Sequence, residues 1–60
     1  MEIDGLLRLK QVVNLTGISR SEIYRRMAKG KFPRQYRIST GIAVWRQSDI
    51  ASWIGQAVNG

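Results

Sequence analysis

Apolar residues recur along this chain with a helical period at both ends and a strand period between them. Leu9, Val12, Val13 and Thr16 stand at i, i+3, i+4 and i+7, one face of a helix. This spacing predicts a first helix over about residues 10–16. Gly17 ends it, because a helix stop commonly needs a left-handed residue and glycine reaches that conformation without a Cβ clash. The next helix has the strongest start signal in the chain. Ser19 and Glu22 have the spacing of a capping box, and Ile18 and Ile23 that of a hydrophobic staple. The helix is expected over residues 20–29, with Gly30 as its stop, and Pro33 keeps Phe32 out of helical geometry. Two β-prone runs follow, Gln35-Tyr36-Arg37-Ile38 and Ala43-Val44-Trp45-Arg46, around a loop that contains Gly41. They read as a hairpin, with Tyr36 and Ile38 on one face and Arg37 on the other. Ser48 is the expected cap of a third helix and Gly55 its expected stop. Ile50, Trp53 and Ile54 form its inward stripe. Residues 1–5 read as a polar leader and 57–60 as a frayed tail. The fold class predicted is mainly α with a small β-hairpin, a winged helix–turn–helix. Residues 1–60 form one domain with its core in about 7–54.

Charge sharpens this picture. The net charge is +6, and residues 20–46 hold eight Lys and Arg against Glu22 alone. A basic block on a small folded unit points to a polyanion. The second helix gives that block a shape. At 100° per residue Ile23 and Met27 face inward, while Ser21, Arg25 and Lys29 lie on the opposite side. Arg20 and Ser21 sit at the helix N-terminus, where groove-reading helices place their base contacts. Arg25 is the candidate for a bidentate guanine contact, a pairing worth ~1–3 kcal/mol of discrimination. Arg26, nearer the flank, suits a phosphate. Ser21 can bond either a base or a phosphate, and Tyr24 can pack its ring while its hydroxyl reaches a phosphate. In the hairpin, Arg37, Ser39 and Thr40 can meet a neighbouring backbone, because hydroxyls bond phosphate and Gly41 allows close approach. Trp45 and Trp53 are read as core, and Phe32 as closing the core beside Pro33.

Composition narrows the function classes. There is no cysteine and no histidine, so disulfides, thiolate metal sites and the commonest general base are absent. The carboxylates are Glu2 and Asp4 in the leader, Glu22 in a cap and Asp49 at a helix start. None forms an acid–base pair, and no phosphate loop is present. A chain that buries only about 60% of its unfolded surface has little room for a substrate pocket. No enzyme activity, cofactor, metal or small-molecule substrate is expected. No apolar run approaches the ~20 residues of a membrane span, and the N-terminus lacks a basic signal region. The expected compartment is the cytoplasm, at the nucleoid.

These motifs resemble the AlpA family of phage-type regulators, related to excisionase-like and MerR-like winged helix domains. The resemblance runs from about residue 7 to residue 54. It rests on the Leu15-Thr16-Gly17-Ile18-Ser19 turn, Ile23-Tyr24-Arg25, Gly30-Lys31-Phe32-Pro33, Trp45-Arg46 and Ile50-Ala51-Ser52-Trp53-Ile54. It implies a sequence-specific DNA-binding transcriptional regulator from a prophage or integrated element. By position, Ser19, Arg20, Ser21, Tyr24, Arg25 and Arg26 would be the recognition-helix contacts and residues 37–41 the wing. Relatives often carry a small hydroxyl residue where Glu22 stands, and glycine where this chain has Val44.

Two rival readings stand beside this one. An excision factor of the same fold would bend attachment-site DNA. A protein-interaction adaptor or antirepressor would turn the same basic face to an acidic protein. One such unit spans little of a groove, so a homodimer or cooperative assembly on DNA is expected.

Overall fold

The computed structural model describes residues 3–59. The order is β1 (Leu6–Leu7), α1 (Leu9–Thr16), α2 (Arg20–Ala28), β2 (Tyr36–Ser39), β3 (Ile42–Arg46) and α3 (Gln47–Asn59). Three helices thus accompany a small antiparallel sheet of strand order β1-β3-β2. Helix, turn, helix, hairpin and helix follow in the expected order.

The core is a cluster of Val12 from α1, Ile23 from α2, Phe32 from the following loop, Trp45 from β3 and Ile50 from α3. Leu7, Leu9, Val13, Ile18, Met27, Trp53 and Ile54 pack against it. Each helical stripe seen in the sequence therefore supplies the face it predicted. Trp45 is fully buried, and its indole Nε1 donates to the Pro33 carbonyl at 3.1 Å. Trp53 is only half-buried, with its ring 5.0 Å from that of Phe32.

The turn between α1 and α2 satisfies its own polar groups. Gly17 adopts φ +73° and its amide donates to the Val13 carbonyl at 2.9 Å. Thr16 Oγ1 donates to the Val12 carbonyl at 2.8 Å and accepts from the Ile18 amide at 3.2 Å. Both bonds shorten the path from one helix to the next.

Four expectations are corrected. First, the segment before β1 is structural. Residues 6–7 pair with β3, Leu6 opposite Arg46 and Leu7 opposite Trp45. Asp4 and Gly5 cap α3, as described next. Met1 and Glu2 of the expected leader, and Gly60 of the expected tail, lie outside the described residues.

Second, Ser48 is not the cap of α3. Strand β3 runs straight into the helix at Gln47, which leaves no extended residue at position 48 to serve as one. The free amides are met from the other end of the chain. The Gln47 amide donates to the Gly5 carbonyl at 2.8 Å, and the Ser48 amide to Asp4 Oδ1 at 3.0 Å. Ser48 Oγ donates to Asp4 Oδ2 at 2.6 Å. Asp4 is an N-cap supplied from 44 residues away.

Third, Gly55 does not end α3, which continues to Asn59 and takes in residues 57–59 of the expected tail. Gly55 has no positive φ, so it is not held in the left-handed conformation of a stop. Fourth, the alternation in β2 breaks. Tyr36 pairs with Val44 and Arg37 with Ala43, but Ser39 pairs with Ile42. The extra residue, Ile38, has no cross-strand partner in this register and is 56% exposed.

Two outcomes follow. Gly55→Ala should stabilise the fold by about 0.5–1 kcal/mol, since a Cβ there meets nothing within 4 Å and glycine is costly inside a helix. A urea titration followed by circular dichroism checks this. Asp4 has its carboxyl held below the ordinary 3.8, first by the Ser48 hydroxyl, then by the Ser48 amide, with the Arg46 charge adding a smaller pull. A depressed folded value means that the contribution is complete above the unfolded value and lost as pH falls through the folded one. Asp4→Ala should therefore lower the Tm at pH 7, and its difference from wild type should shrink as pH drops below 3.8.

Candidate nucleic-acid interface

Helix α2 is fixed at both ends by local chemistry. Ser19 is extended, and its Oγ accepts from the Glu22 amide at 3.3 Å. At the other end Lys29 caps the helix and Gly30 takes φ +71°. The Gly30 amide donates to the Met27 carbonyl at 3.0 Å and the Lys31 amide to the Arg26 carbonyl at 2.8 Å, the paired bonds of a Schellman stop. The expected end at residue 29 thus becomes the capping position, one residue beyond the helix.

Only half of the expected capping box forms. The Glu22 carboxylate meets two guanidinium groups instead of the Ser19 amide. Its Oε1 lies 3.2 Å from an Nη of Arg25, and its Oε2 accepts from Arg26 Nε at 3.3 Å. Two cations one turn away outcompete one backbone amide for an acid, and Glu placed N-terminal to Arg has the favourable order on a helix.

The ten residues singled out in the sequence divide by direction. Ser19, Arg20, Ser21, Arg25 and Lys29 are exposed on or beside the outer face of α2. Tyr24 is 40% exposed, and its hydroxyl accepts from Gln35 Nε2 at 3.3 Å. This bond joins α2 to the segment entering the hairpin. Arg26 turns the other way, toward α3, with its guanidinium 5.9 Å from the centre of the Trp53 ring. Arg37, Ser39 and Thr40 are exposed on the hairpin, and Gly41 at its tip has φ +77°.

A shallow groove connects α2 to the hairpin. Its walls are Arg8, Lys10, Tyr24, Gln35, Gly41 and Ala43. Arg37 is the cross-strand partner of Ala43, so its side chain leaves the sheet on the groove side. The groove thus brings together Tyr24 of α2, the cations Arg8 and Lys10 at the start of α1, and Gly41 and Ala43 of the hairpin.

Sequence reasoning missed Arg8, Lys10 and Gln35 in this groove. A signal was present for the first two. Arg8 is the N-cap of α1 and Lys10 lies in its first turn, which holds no acid. Cations at a helix N-terminus oppose the helix dipole, an arrangement that suits a nearby anion. Gln35 carried no such mark.

The basic block also splits. Arg34 and Arg46 place their guanidinium groups 5.0 and 5.1 Å from the centre of the Tyr36 ring. Tyr36 and Arg46 lie on the sheet face opposite Trp45, because neighbours alternate along a strand and Tyr36 pairs with Val44. These two cations are held on the outer side of the sheet, away from the groove-side face that carries Arg37.

A small winged helix unit whose second helix has an exposed, basic outer side is the class that fold and surface define. The profile of the family described as Prophage CP4-57 regulatory protein (AlpA) matches residues 5–58, and the chain belongs to that family. It is also similar to the uncharacterized protein ORF88 of Enterobacteria phage P4, with 35% identity over 57 residues. That match covers 95% of this chain but 65% of the phage protein, so the chain spans about two thirds of its relative's length. No solved structure matches the chain. Among the described residues, no helix is long and apolar enough to cross a membrane.

The N-cap gives a direct check. Ser19→Ala should destabilise the protein by about 1 kcal/mol and raise hydrogen exchange at the Glu22 amide, read by NMR.

Proposed function

We propose that this chain is a sequence-specific DNA-binding transcriptional regulator of the prophage type. Residues 1–60 act as one DNA-binding unit. Helix α2 enters the major groove, and the β2–β3 hairpin lies along the flanking backbone as a wing. The observation that carries this reading is the exposed cationic outer face of α2, with Arg20, Arg25 and Lys29, beside a groove that holds Arg8 and Lys10. A helix of nine residues, braced by caps at both ends and exposed on its outer side, is the right size for the groove.

In this reading Arg25 contacts a guanine edge, and Arg20 and Ser21 contact bases or phosphates at the helix start. Ser19, Lys29, Arg37, Ser39 and Thr40 meet the sugar–phosphate backbone. Tyr24 offers its ring edge and hydroxyl to a phosphate, and Arg8 and Lys10 add charge from the start of α1. Membership of a prophage regulatory family supports the same reading. A single unit covers one half-site, so we propose that it binds DNA as a homodimer or a cooperative array.

Gel-shift titration of DNA from upstream of the protein's own gene tests this at several salt concentrations. With about six phosphates neutralised, log affinity should fall against log salt with a slope near −5. Arg25→Ala should cost about tenfold or more in affinity for the preferred duplex. Binding indifferent to salt, or unchanged by Arg20→Ala and Arg25→Ala together, would overturn the proposal.

A further inference from the structure

Arg26 was expected to be a phosphate contact, but its surroundings point elsewhere. Its guanidinium is engaged on both sides. Nε donates to Glu22 Oε2 at 3.3 Å, and the group lies 5.9 Å from the Trp53 ring centre. Trp53 in turn packs on Phe32 with ring centres 5.0 Å apart, and Phe32 meets Trp45 edge-on at 6.5 Å. The other oxygen of Glu22 holds Arg25, whose side chain is 64% exposed against 40% for Arg26. The Arg25 side chain makes no other bond or ring contact within the described residues.

The magnitudes rule out a mainly stabilising role. Exposed i,i+3 and i,i+4 pairs contribute little to stability. Holding a long side chain in one direction has a different use. A flexible arginine loses rotamer freedom when it binds, and a partner that already aligns it removes part of that cost.

We infer that Glu22 and Arg26 are positioning residues for Arg25, setting how well α2 discriminates between DNA sequences. The inference rests on the DNA-binding reading above. Trp53 fixes Arg26, Arg26 fixes the Glu22 carboxylate, and the carboxylate aligns Arg25 outward. Glu22 also penalises incorrect DNA. On a duplex that offers Arg25 no guanine edge, the acid holds Arg25 and keeps it from making a compensating phosphate contact. On a matching duplex, Arg25 moves to the base while Arg26 keeps the carboxylate neutralised. Discrimination thus comes from a base contact made on one sequence combined with a phosphate contact withheld on the others.

The experiment uses two duplexes of equal length, one selected from a random pool by the wild-type protein and one scrambled. Glu22→Gln keeps the size and helix preference at that position but removes the charge. It should tighten binding to the scrambled duplex several-fold, steepen its salt slope by about 1, and lower the ratio of the two affinities about tenfold. Arg26→Lys keeps the charge but loses the planar fork that meets carboxylate and ring. It should weaken binding to the selected duplex and leave the scrambled one unchanged. Equal loss on both duplexes with Arg26→Ala, with a salt slope shallower by about 1, would make Arg26 a phosphate contact and overturn the inference. An unchanged affinity ratio in Glu22→Gln would overturn it too. Thermal melts of each variant separate these results from unfolding. A pool from which wild type selects no sequence refutes the DNA-reading proposal itself, whereas selection by wild type with unaltered variant ratios refutes only the positioning roles.

Discussion

The structure depends on the burial of one indole ring. Trp45 has no exposed surface, and it sits where β3 meets residues of all three helices in a single cluster. Its only polar atom is bonded to the Pro33 carbonyl, so the ring is buried without an unmet donor. Truncating such a side chain typically costs about 3–5 kcal/mol. A domain of this size has a total stability of the same order. The Pro33 bond also ties down the loop that leads from α2 into the hairpin. Helix and wing are thereby anchored to the same group.

The surface that follows is built by contrast. The inner side of α2 is committed to the core through Ile23 and Met27, and both of its ends are closed by local bonds. Its outer side has no packing to do, so charge can accumulate there without a desolvation penalty. The cations nevertheless differ in freedom. Arg34, Arg46 and Arg26 lie against aromatic rings, whereas Arg20, Arg37 and Lys29 make no ring contact among the described residues. Net charge in the sequence counts these alike, although their availability to a polyanion is unequal.

Much of the fold was legible because its signals are local. The stripe of Leu9, Val12 and Val13, the glycines at 17 and 30, and the Ser19 cap each act within a few residues, and each was read correctly. The failures share a cause: the deciding partner was distant or the competition was three-way. Ser48 resembles a cap, but the amides that need capping are met by Gly5 and Asp4. Gly55 resembles a stop, but no left-handed turn follows it. Glu22 fits a capping box until Arg25 and Arg26 compete for its oxygens. Strand β1 is two residues long and exists only because β3 offers an edge. For the site, the α2 residues could be named from helical periodicity. The groove that joins them to Arg8, Lys10 and Gln35 could not, because it needs three elements in place.

The Asp4 carboxylate and the amide it serves are separated by most of the chain, and this has a bearing on biosynthesis. A ribosome releases the N-terminal segment first, so the group that terminates the last helix is already waiting in solution when that helix emerges. A contact across 44 positions also carries a loop-closure cost, so it forms after the local helices and the hairpin rather than before them.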